Sequence, residues 1–123
     1  NNDRSYLYYA PLSAHNLYRI KTEYLRSGHA GREHVEIVHV LDVATDGMLF
    51  DNHNNLFLGG LENNSVNVYT NQDELIQLIQ DPRIKWADSF TKDKNGNIYF
   101  TTSQLHLPAN ERVSYRIYKL NLK

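Results

Sequence analysis

The sequence predicts an all-β protein built from repeated four-stranded antiparallel units, a partial β-propeller, and three observations carry that reading. The first is an internal echo. "DNHNNLFLGG" at residues 51–60 returns as "DKNGNIYFTT" at 93–102, at a constant offset of 42 positions. Asp46 then aligns with Asp88, Asp51 with Asp93, Asn55 with Asn97, Leu56 with Ile98, Phe57 with Tyr99, Leu58 with Phe100 and Glu62 with Gln104. The second is the size of the period, because about 40 to 50 residues make one four-stranded propeller blade. The third is composition: nine Tyr against one Trp and one Met, with frequent Asn, suits short aromatic strands joined by Asn-, Asp- and Gly-containing turns.

The elements follow in order. "SYLYYAP" (5–11) and "NLYRIK" (16–21) read as middle strands, with no inner strand before them, and "HVEIVHVLD" (34–42) as an outer strand. Between them "TEYLRSG" (22–28) has a Thr to cap it, an acidic first turn and a terminal Gly, which predicts one short helical turn followed by a solvated loop, "HAGREH". The central unit runs through "GMLFD" (47–51), a turn at "NHNN", "LFLGGL" (56–61), a turn at "ENN" and "SVNVYT" (65–70). Its Asn and Gly residues tolerate the positive φ that tight hairpins need. "ELIQLIQD" (74–81) fits two patterns: Leu75, Leu78 and Ile79 suit a helical face, while the short length and β-rich surroundings favour an outer strand. The cycle restarts with "SFTKD" (89–93), "NIYFTTS" (97–103), a polar loop and "YRIYKLN" (115–121). Residues 1–45 thus form a blade lacking its first strand, 46–87 a complete blade, and 88–123 a blade lacking its last. Two to three blades cannot close a ring, and open sheet edges need cover. The expectation is a part of a longer polypeptide, or copies that complete a ring as a homo-oligomer.

Composition removes several classes of function. At 123 residues the chain is one ordinary domain. A net charge of −1, with Lys and Arg spread along the chain, marks no face for nucleic acid or for a membrane surface. The absence of Cys excludes thiolate metal sites and a Cys nucleophile, and leaves the compartment open. No apolar run approaches the roughly 20 residues of a membrane span, and "NNDRSY" has no signal-peptide character.

"LYYAPLSAHNLYRIKTEYLR", "DGMLFDNHNNLFLGGLENNSV" and "DPRIKWADSFTKDKNGNIYFTTSQLH" resemble the closing portion of the major royal jelly protein and insect Yellow family, above all its bacterial members. The resemblance covers nearly the whole chain, with residues 26–33 and 108–113 its vaguest parts. It implies a six-bladed propeller of which the last blades are present, and family members that are often secreted. It also implies a small-molecule pocket at the face where the inner strands begin. At Ser103 and Gln104 the family usually carries an Asn followed by a polar residue, so Ser103 replaces a contact to an amine ligand.

Candidate chemistry concentrates at that face. Asp46 and Asp88 are expected just before the two inner strands, where carboxylates of successive blades converge on the mouth of the central tunnel. Such a pair can hold a hard cation, orient an amine, or serve as acid and base; each Asp can equally cap its own turn. "DGM" before an inner strand is similar to calcium- or zinc-dependent gluconolactonase-like propellers, whose matching Asp is a metal ligand. Asp46 and Asp88 are therefore the expected metal ligands if calcium or zinc binds, and a metal-dependent hydrolase is the alternative to a binding role. An antiparallel hairpin returns the end of its second strand beside the start of its first, which adds Glu62, Ser103 and Gln104 to the pocket. The expected partner is a small polar or amine-bearing molecule, and no catalytic group is singled out. Asp51 and Asp93, with Asn55 and Asn97, frame hairpins and are structural. The His residues carry no metal spacing. His106 alone stands near the pocket, and Ser13 and His15 lack the strand-turn-helix context of a nucleophile.

Overall fold

The computed structural model describes residues 1–122. Three antiparallel sheets follow one another along the chain. The first contains β1 (Tyr6–Tyr9), β2 (Asn16–Lys21) and β3 (Val35–Val40) in that spatial order. The second contains β4 (Met48–Phe50), β5 (Leu56–Gly60), β6 (Ser65–Tyr69) and β7 (Leu75–Gln80), again in chain order. The third contains β8 (Ala87–Lys92), β9 (Ile98–Thr102) and β10 (Ile117–Lys119). Every pairing is between chain neighbours, as in a meander. The segment that fits two patterns, 74–81, is the strand β7, because it pairs with β6 from Ser65↔Gln80 to Tyr69↔Leu75.

The sheets stack face to face, and β5 shows why. All five of its residues are buried. By strand alternation Leu56 and Leu58 point to one side, where they pack with Leu17, Leu41 and Tyr69 between the first and second sheets. Phe57 points to the other, where it joins Val66, Val68, Ile84, Ala87, Ile98, Phe100 and Leu120 between the second and third. The backbones approach closely at two glycines. A Cβ on Gly47 would overlap the Asp88 carbonyl, and one on Gly59 would overlap the Ala87 carbonyl. Consecutive meander sheets stacked with apolar cores between their faces make this an all-β partial β-propeller, so the sheets are its blades.

The 42-residue echo is visible atom by atom. Asp51 Oδ1 accepts from the backbone N–H groups of His53 at 2.7 Å and Asn55 at 2.9 Å, and Oδ2 from the Asn55 amide at 2.9 Å. Asp93 Oδ1 accepts from Asn95 and Asn97, both at 2.9 Å, and Oδ2 from the Asn97 amide at 2.7 Å. The turn residue with positive φ is Asn54 (62°) in one and Gly96 (83°) in the other. At the opposite end Leu61 N–H donates to the Ala44 carbonyl and Ser103 N–H to the Trp86 carbonyl, both at 3.0 Å.

Four local expectations are corrected. The helix α1 (Thr22–Ser27) ends at Gly28 with φ 74°, but Thr22 does not cap it: the capping position is Lys21, without a side-chain bond. The Thr22 hydroxyl instead donates to the Arg4 carbonyl at 2.7 Å, tying α1 to the segment before β1. The expected loop at 29–34 closes in a 3₁₀ turn, Arg32–His34, whose His34 ring stacks on Tyr24 at 3.8 Å between centroids. β8 begins at Ala87, so Asp88 lies inside that strand, not before it, whereas Asp46 does precede β4. β10 is confined to Ile117–Lys119, because its pairing with β9 spans only Thr101 to Tyr99.

Candidate functional site

The site lies where β4 and β8 begin and where β5 and β9 end, since Met48 pairs with Leu58 and Ala87 with Thr102. In β8 the register shifts between Ala87 and Phe90: three steps on β8 face two on β9. The extra residue is a bulge at Asp88 and Ser89. Bulges re-aim side chains at the ends of sheets, and this one sets the Asp88 carboxyl within hydrogen-bonding reach of Asp46. Burial, then the bond to Asp46, then the Asp46 charge raise the Asp88 carboxyl above its ordinary value. The Ser89 hydroxyl, 3.2 Å from Asp88 Oδ2, opposes that rise. Two carboxyl groups in contact favour one shared proton, or a cation between them.

Trp86 holds one side of the pair. Its indole N–H donates to Asp46 Oδ2 at 2.9 Å, across 40 residues of sequence, and its ring stacks on His106 at 5.2 Å between centroids. Trp86 itself sits at φ 58°, an uncommon conformation for a bulky residue. Its carbonyl accepts the Ser103 N–H. Asp46, Trp86, Asp88, Ser103 and His106 are therefore linked in one group.

Glu62 has other partners. Its Oε2 accepts from the Ala44 N–H at 2.9 Å and meets His15 Nε2 at 2.9 Å, so it fastens the first blade to the segment that leads into Asp46. Gln104, 1% exposed and at φ 61°, is bound at both ends of its amide. Its Nε2 donates to the Val113 carbonyl and its Oε1 accepts the Val113 N–H, each at 2.9 Å. That clamp closes the loop between β9 and β10.

Sequence reasoning missed two participants, Trp86 and His15. The signal for Trp86 was present: it is the lone tryptophan, and the 42-residue offset places it on Ala44, two positions before an aligned Asp. His15 gave none, because its partner Glu62 lies in the next blade.

Asp46 and Asp88 bring two carboxyl groups together, fewer donors than a hard cation needs. Among the described residues no group of three or more His, Asp or Glu gathers there or elsewhere, and one Asp46 oxygen already accepts the Trp86 bond. Calcium takes six to eight oxygens and zinc about four ligands, so the donors of this chain alone do not fit either ion.

Fold and site together define a segment of a β-propeller with a carboxyl pair and an aromatic wall at the face where its inner strands begin. The family model for major royal jelly protein matches residues 1–122, and the chain belongs to that family. No curated protein sequence matches it. Solved structures that share the fold include two lyases. A streptogramin B lyase superposes with a TM-score of 0.63 at 14% identity, over 99% of this chain and 38% of the lyase. The virginiamycin B lyase of Staphylococcus aureus, in selenomethionine form, gives a TM-score of 0.64 at 14% identity, over 98% of this chain and 40% of that one. The chain thus spans about two fifths of the length of these structures.

Proposed function

We propose that this chain is the ligand-binding part of a royal-jelly/Yellow-type propeller, taking a small amine-bearing molecule at the mouth of the central tunnel. The observation that carries this reading is the contact between Asp46 and Asp88. Burial first, and then the neighbouring Asp46, raise the Asp88 carboxyl, and a bound ammonium group beside the pair would favour its ionised form. The Trp86 and His106 rings beside it supply the aromatic surface that suits an aryl-ethylamine. Glu62, Ser103 and Gln104 enter this reading as supports of the surrounding loops, and Ser103 offers a shorter polar group than an Asn.

Calorimetry with tyramine, tryptamine and calcium chloride tests it on this chain and on a closed propeller containing it. Saturable amine binding, weakened by Asp88→Asn, is expected. Silence towards both amines in a closed ring overturns it. Saturable binding of calcium with chelator-sensitive lactone hydrolysis, lost in Asp46→Asn, would replace it with the metal-dependent hydrolase reading, the missing ligands then coming from other blades.

An assembly reading is favoured by a different observation. Among the described residues β1 and β10 each pair on one side only, and Ile117 in β10 is 74% exposed, with Tyr115 and Val113 exposed beside it. Such an edge invites another strand, from a longer chain or from a second copy. Light scattering at low micromolar concentration distinguishes them: a ring of copies scatters as a multiple of 14.3 kDa, and a stable folded monomer rejects self-assembly.

A further inference from the structure

The seam between the second and third blades opens, at the same end as the carboxyl pair, into a cleft of about 360 Å³. Its charged lining is entirely cationic: Arg83, Lys85 and Arg116. Asp81, outside the lining, takes Arg83 Nε at 2.9 Å and Nη2 at 2.6 Å, which leaves Nη1. Among the described residues no carboxylate pairs with Lys85 or Arg116. The hydroxyls of Thr102 and Ser114 add neutral donors, and the Tyr118 ring, with Pro82 and Val113, forms an apolar side. Tyr118 is fixed by its hydroxyl, which donates to the Arg83 carbonyl at 3.1 Å.

The repeat shows that the fold does not require these cations. The equivalent cleft, between the first and second blades, holds about 100 Å³ and is lined by amides and apolar groups, with Asp42 as its one charged residue. Lys85 stands where that cleft has Val43. There β7 contributes Leu75 and Gln77 to the wall, and an opening persists with an outer strand in place.

We propose that the cleft of the second seam binds a phosphomonoester carried on a small apolar body. Two unpaired cations and a third half-neutralised one match a dianion, and cations with hydroxyl donors suit phosphate oxygens. The Tyr118 side accepts the body. None of the residues that carry the amine reading, Asp46, Asp88, Trp86 and His106, lines this cleft.

Phenyl phosphate, inorganic phosphate and benzyl alcohol, titrated by calorimetry or NMR into the chain and into a closed propeller containing it, provide the test. Phenyl phosphate should bind most tightly, inorganic phosphate more weakly, and benzyl alcohol without saturation. Affinity should fall as salt is raised. Lys85→Gln and Arg116→Gln should each weaken phenyl phosphate about tenfold, the scale of one charged hydrogen bond, while Lys85→Arg and Arg116→Lys retain binding. Asp88→Asn should leave it unchanged, which separates this proposal from the amine reading. No saturable binding, an affinity indifferent to both Gln variants, or a closed propeller that no longer binds because an outer strand fills the cleft would overturn it.

Discussion

The two units related by the 42-residue offset agree at one end and diverge at the other. At the hairpin end, Asp51 and Asp93 hold the same three bonds and the left-handed residue falls at the same position of the turn, Asn54 in one and Gly96 in the other. At the other end the backbone bonds persist, but Glu62 reaches the Ala44 N–H and His15, while Gln104 turns to Val113. Repetition of side-chain detail marks what every blade needs. Divergence on a repeated backbone marks positions that the fold leaves free for other work.

Electrostatics separates the ends as well. The Asn97 amide, with neighbouring donors, holds the Asp93 carboxyl below its ordinary value, whereas burial and Asp46 hold Asp88 above it. A lowered carboxyl contributes stability above its unfolded value of 3.8, lost as pH falls through the folded value. A raised one contributes below 3.8 and loses that contribution as pH rises through the folded value. At neutral pH one Asp therefore supports the fold and the other costs stability.

Truncation of the aligned core positions should break both units most severely. Phe100→Ala should cost about 3–5 kcal/mol and Leu58→Ala about 2–5 kcal/mol in denaturant unfolding, because each is nearly fully buried against the preceding blade. A large difference in which only one matters would deny the equivalence of the seams. Exchange of the diverged pair should be asymmetric. Gln104→Glu removes the donor to the Val113 carbonyl and buries a charge, a loss of about 1–3 kcal/mol at neutral pH that recovers on acidification. Glu62→Gln keeps an acceptor for Ala44 and should change stability by less than about 0.5 kcal/mol. Comparable losses from the two would mean that both positions are structural. Asp51→Ala and Asp93→Ala should each lower Tm, and for Asp93→Ala the difference from the parent should shrink as pH falls through the lowered Asp93 value. The smallest effect should be a gain: Asp88→Asn should stabilise by about 0.5 kcal/mol at pH 7, after allowance for solvent screening. That gain should disappear below pH 3.8. A thermal melt series over pH reads both carboxyl groups, and a loss of stability in Asp88→Asn at neutral pH would contradict the strained pair.

Much of this architecture was legible because hairpins are local. Asp51 to Asn55 and Asp93 to Asn97 write their turns within five residues, and the short apolar-aromatic runs that follow at 56–58 and 98–100 announce strands. β7 was ambiguous because Leu75, Leu78 and Ile79 have helical spacing, and only pairing with β6, a non-local fact, decides it. Thr22 has the residue type of a helix cap, but its hydroxyl donates to the Arg4 carbonyl, a contact with the segment before β1. At the site, Asp46 and Asp88 were legible through the repeat. The bulge that turns Asp88, the Trp86 bond over 40 residues and the His15 contact to the next blade arise from packing, and no local pattern encodes them.

The double-sided burial of β5 has a consequence for motion. Its peptide groups are bonded to β4 and β6 along both edges while side chains of both neighbouring blades cover its faces. Deuterium can reach those amides only after a buried ladder breaks, so β5, with the equally buried β6, should be the last to exchange. β10, bonded on one side and open on the other, should exchange by simple fraying.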